Sequence, residues 1–137
     1  MNGSPSNASN AMESFQSDLD WYLDHARSLA MGPEDCCADQ GNYLVAGELF
    51  YFLLQPTQLI DDPLGLMNFQ QKLAVERLRH SVSLVPLEAR SGAPTVTASL
   101  TDMRHPAWEE PRRHAQELLL VLASLIPARY ATEPSKG

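Results

Sequence analysis

The sequence predicts a mainly α domain, a small four-helix bundle with a possible short β-hairpin between its third and fourth helices. Three observations carry that expectation. Apolar residues recur at three- and four-residue steps along most of the chain. Prolines stand where such runs start or stop. Alternating β-branched residues are confined to one stretch, 81–100. The 137 residues, 44% of them apolar, are enough for one cored domain and too few for two. Its expected extent is 13–130, between an uncharged tail at 1–12 and a frayed end at 131–137. The tripeptide Ser9-Asn10-Ala11 before Met12 resembles a tag-cleavage remnant.

The first helix is expected over 14–31. Phe15, Leu19, Tyr22, Leu23, Ala26, Leu29 and Ala30 fall on one face, and Gly32-Pro33 ends it. Trp21 lies on the opposite side, among Ser17, Asp24 and Ser28. The second helix, starting at Pro33 or Asp39 and ending at Gln55, is apolar almost all the way round and reads as the central one. Its thin polar seam holds Gln40, Glu48, Tyr51 and Gln55.

Asp62-Pro63 marks the start of the third helix, a cap followed by a first-turn proline. That helix carries a core stripe through Met67, Ala74, Val75, Leu78 and Val82. A second stripe runs through Leu66, Phe69, Leu73, His80 and Leu84. Two stripes imply packing on two sides, and in so small a domain the second side suits another copy. Residues 81–100 are expected to form a loop or small hairpin around Arg90-Ser91-Gly92-Ala93-Pro94. The fourth helix is placed at 111–126, after a short turn at 106–110.

The net charge of −7 is unevenly distributed. Residues 1–71 hold ten acids and one base, whereas 72–137 hold seven acids and nine bases. An acidic front half argues against direct nucleic-acid binding, which needs a basic footprint. It suits a basic protein partner. No apolar run reaches the roughly 18–20 residues of a membrane span. With two adjacent cysteines and no disulfide framework, the expected compartment is cytoplasmic.

Candidate chemistry is sparse. Cys36 and Cys37 sit among Glu34, Asp35 and Asp39, which disfavour a thiolate, and no further cysteine completes a zinc set. They read as small buried residues. Glu48 has no second carboxylate or nucleophile at a working spacing. Glu76-x-x-x-His80 and Glu110-x-x-x-His114 each place an acid and an imidazole one turn apart. That differs from the Glu-x-x-His spacing of four-helix metal sites. No phosphate loop or nucleophile motif occurs. No catalytic residue, metal set or cofactor is therefore assigned.

The remaining signal is apolar residues off the core stripes: Trp21, Trp108 and Leu120, together with the second stripe of the third helix. These are the candidate interface residues, tryptophan above all. The expected function is an interaction module, homodimeric, that binds and blocks another protein such as a transcriptional regulator with a basic surface. The alternative is a bundle holding a small apolar ligand beside Tyr43, Glu48, Phe50 and Phe52; an enzyme ranks third.

Overall fold

A computed structural model describes residues 3–55, 57–62 and 64–123. Among these the chain is helical and contains no strand. Seven α-helices run in order: α1 (Gly3–Ala30), α2 (Pro33–Asp39), α3 (Val45–Leu53), α4 (Thr57–Asp61), α5 (Phe69–Ser83), α6 (Val96–Arg104) and α7 (Glu109–Val121). Single 3₁₀ turns at Leu87–Ala89 and Pro106–Trp108 precede α6 and α7.

Helix α1 begins N-terminal to the expected 14–31, through residues that the sequence marks as a tail. From Asn10 onward its first buried side chain is Phe15, where the apolar stripe starts. Phe15, Leu19, Tyr22, Leu23, Ala26 and Leu29 are all buried. The expected frayed end at 131–137 lies outside the described residues.

The single central helix expected over 33–55 is instead two helices. Backbone φ is positive at Gly41 (87°), Asn42 (57°) and Leu44 (50°), a left-handed corner that no helix can cross. Glycine and asparagine tolerate such angles, and a leucine there is strained. The corner is tied down from α1. Ser28 Oγ donates to Asp39, and Gln40 Nε2 donates to Ser28 Oγ at 2.7 Å.

The expected third helix also starts late. Asp62 does not cap it but holds the turn that precedes it, accepting from Leu66 N at 2.8 Å and Met67 N at 2.9 Å. The N-cap of α5 is Asn68, in a reciprocal box with Gln71. Its buried apolar residues, Ala74, Val75, Leu78 and Val82, belong to the expected core stripe.

The hairpin across 81–100 does not form. Helix α5 occupies the start of that segment, and Thr95 caps α6 by accepting from Ala98 N at 3.0 Å. Between them the Arg90–Pro94 loop is pinned where Ser91 N and Oγ both donate to Asp102 Oδ2 at 3.0 Å.

Helices α1, α5 and α7 form the main layer, with α7 packed along both others. Thus α7, and not the helix read as central, joins the two halves of the chain. Arg112 on α7 reinforces the junction: Nε donates to Met31 O at 2.8 Å and Nη2 to Met103 O at 3.2 Å. These bonds tie the ends of α1 and α6 to α7 and satisfy carbonyls that helix termini leave open. Helices α2, α3 and α6 complete the core, from Cys36, Cys37, Val45, Leu49, Leu53 and Met103.

A candidate interaction surface on helices α1 and α3

Trp21 projects from α1 and remains 55% exposed. It is nevertheless held in place. Its indole centroid lies 5.2 Å from the His25 ring, one helical turn on, and 5.4 Å from Phe52 of α3 in an edge-to-face arrangement at 81°. Phe52 also packs against His25 at 4.8 Å and against the half-exposed Tyr51 at 5.0 Å. Each such aromatic pair contributes roughly 0.5–1.5 kcal/mol beyond its buried area. The four rings form a continuous strip across the α1–α3 seam, with both ends open to solvent.

Histidine 25 is the buried centre of this strip. Its Nδ1 lies 2.9 Å from the Trp21 carbonyl oxygen, which can only accept, so Nδ1 carries the proton. Nε2 then faces Glu48 Oε2 at 4.0 Å, beyond hydrogen-bond length. Glu48 is exposed and accepts no hydrogen bond from any described residue. Exposed Asp18 and Asp24 stand within one turn of Trp21 on α1, and Asp24 pairs with Arg27 at 3.1 Å. The surface is aromatic and edged by carboxylates.

The sequence pattern puts these residues in two different sites, Trp21 in the interface and Glu48 and Phe52 in the ligand pocket. The fold brings all three together. Two further members, His25 and Tyr51, were not singled out. Spacing offers a signal for His25: Trp21–His25 and Glu48–Phe52 are each one turn apart, so one helix crossing can bring the two pairs together. The other ligand candidates lie elsewhere. Phe50 turns away from Phe52, and the Arg90 guanidinium sits 3.6 Å from its ring centroid. Tyr43 is exposed in the corner before α3.

The remaining interface candidates divide sharply. Trp108 is fully buried and donates from Nε1 to Ala89 O at 3.0 Å, so its side chain belongs to the core and not to a surface. Leu66 and Leu73 are partly buried. Phe69 (74%), Leu84 (68%) and Leu120 (79%) remain strongly exposed, and His80 is exposed.

Both Glu–His pairs reach one groove of about 420 Å³ between α5 and α7. Glu76, His80, Glu110 and His114 all line it. Each acid is engaged locally: Glu76 by Arg79 at 2.9 Å, and Glu110 by Arg113 and by His114 Nε2 at 3.2 Å. Among the described residues no three His, Cys, Asp or Glu side chains are placed to hold a metal ion.

Cys36 and Cys37 are buried free thiols. Burial pushes the Cys36 thiol up to about 12, with the neighbouring thiol and Asp39 acting in the same direction against Arg112. Burial also raises Cys37. Both are therefore poor nucleophiles near neutral pH. Among the described residues no helix is long and apolar enough to cross a membrane. No family model, no curated protein and no solved structure matches the chain.

Proposed function

We propose that the protein is a cytosolic interaction module that engages a basic segment of a partner protein through Trp21, Tyr51, Phe52 and Glu48. One observation carries this reading: a half-exposed tryptophan, packed against two rings, shares the His25 ring with a carboxylate that accepts no hydrogen bond from any described residue. A rigid aromatic anchor loses little entropy on binding. The excess of acids in residues 1–71 steers encounter with a positively charged surface. The DNA-binding face of a transcriptional regulator is such a surface, and occupying it would block the regulator.

Capture from lysate of the source cell tests this when wild type is run beside Trp21→Ala. The expected result is a protein with a basic segment that wild type retains and the variant loses, with release by moderate salt. Identical capture by both proteins overturns the reading.

Self-association is a second role, placed on the outer stripe of α5. Phe69, Leu73, His80 and Leu84 are symmetric about the midpoint of residues 76 and 77. An antiparallel second copy therefore sets Phe69 against Leu84 and Leu73 against His80. Leu84 borders the α5–α7 groove, which then receives the partner's phenylalanine. Two Glu76 and two Arg77 meet at the centre with no net charge. Phe69→Asp is expected to raise the dissociation constant at least about a hundredfold, roughly 3 kcal/mol. Sedimentation at several concentrations reads this directly. Since Phe69 is 74% exposed, monomer stability should change by less than about 0.5 kcal/mol. A monomeric wild type removes this role and leaves the α1–α3 surface untouched.

A further inference from the structure

The α1–α3 surface also constrains which basic residue it takes, an inference that rests on the proposed function. We infer that it recognises arginine, by stacking a guanidinium on the Trp21 ring and accepting its N–H donors on the Glu48 carboxylate.

The case begins with acceptor capacity. Both Glu48 oxygens are without a described hydrogen-bond donor, and His25 Nε2, the basic group paired with them among the described residues, is 4.0 Å away. A free carboxylate offers two parallel acceptors, which a guanidinium matches with two N–H groups and an ammonium cannot. The stacking plane comes next. Trp21 packs against His25 at 54° and Phe52 at 81° yet keeps over half its surface open. The indole is the strongest of the aromatic rings for cation–π attraction.

Ring and carboxylate flank the same imidazole, 5.2 Å and 4.0 Å away from it. A planar cation seated between them would meet both. The molecule already holds such a contact: on the same helix, Phe50 has Arg90 stacked 3.6 Å from its centroid. Lysine offers only a compact, strongly hydrated charge and gains little from the flat ring.

The probe is a short fluorescein-labelled peptide carrying arginines in a Gly-Ser spacer, with lysine and citrulline counterparts. Binding is read by fluorescence anisotropy at constant salt. Citrulline keeps the planar shape and removes the charge. The expected order is arginine at least about tenfold tighter than lysine, with citrulline unbound. Trp21→Ala and Glu48→Gln should each weaken the arginine peptide about tenfold or more. Both sites are solvent-exposed, and unchanged circular dichroism melts confirm that the variants fold. Equal affinity for arginine and lysine, still dependent on Trp21, overturns the arginine inference and leaves the basic-segment reading standing. Binding that survives Trp21→Ala, or no binding of either charged peptide, overturns both.

Discussion

Trp108→Ala is expected to cost about 3–5 kcal/mol of folding stability, the range for removing a large aromatic side chain from a close-packed interior. For a domain of this size that lowers the melting temperature by roughly 10–20 °C. Trp108 is fully buried and among the largest side chains in the core. Its loss opens a cavity at the base of α7, beneath the 3₁₀ turn Pro106–Trp108. It also deprives Ala89 O of its indole donor at 3.0 Å, and so loosens the loop from α5 to α6. Trp108→Phe separates the two effects. It keeps most of the volume and removes the donor, so about 1–3 kcal/mol is expected. Thermal melts of the three proteins, followed by far-ultraviolet circular dichroism, give the comparison. An interface tryptophan behaves in the opposite way, leaving the melt unchanged and weakening association. A variant that melts within a degree or two of wild type would sink the core assignment.

The same residue shows what periodicity can and cannot see. Trp21 and Trp108 both fall off the stripe of their segment, and only the first is at the surface. Trp21 sits inside a long helix whose phase is fixed by six buried neighbours, so its outward direction was legible. Trp108 closes a 3₁₀ turn, where no helical phase applies, and its direction is set by the Ala89 carbonyl and by the packing of α7. The helical class, the core faces of α1 and α5, and the break at Gly32-Pro33 were legible for the same reason as Trp21: long amphipathic repeats are local information.

Helix α6 was not legible because its buried face is partly polar. Ser99 and Asp102 are buried beside Met103. Their polar atoms are satisfied from distant segments, Ser99 Oγ by Val45 N at 3.4 Å and Asp102 by Ser91. A stripe that relies on tertiary hydrogen bonds carries no apolar period. The corner at 41–44 escaped notice for a related reason, since its anchor, Ser28, is on another helix. The α1–α3 surface was half legible. Its members were noticed singly, while their assembly depends on how α3 crosses α1 after that corner. The proposed function therefore leans on a junction of tertiary origin, where Trp21 and Glu48 both border His25 after Gly41 and Asn42 turn the chain.

Asp62 provides the second large effect, and here hydrogen bonding decides and not volume. Its side chain is fully shielded. It accepts from Leu66 N and Met67 N and lies 3.7 Å from Lys72 Nζ. Its own φ is +45°, a region that aspartate visits more readily than alanine. Asp62→Ala leaves two backbone donors without their acceptor and adds left-handed strain, for an expected loss of about 2–4 kcal/mol. Asp62→Gly removes the same acceptor and relieves the strain, so it should be less damaging than alanine by about 1 kcal/mol. Asp62→Asn keeps one acceptor but turns an N–H₂ group towards the other donor, and an intermediate loss follows. Lys72→Met should cost under about 1 kcal/mol, because the lysine is partly exposed and its attraction is screened. Denaturant unfolding of the four variants tests the order, with Asp62→Ala most destabilised, Asp62→Gly and Asp62→Asn between, and Lys72→Met least. If Lys72→Met matched Asp62→Ala, the ion pair and not the two backbone bonds would be the dominant interaction. The turn also positions the first residue of α5, Phe69, so weakening it should reduce self-association even in the fraction that stays folded. A dimer that tightens instead would place the contact away from α5.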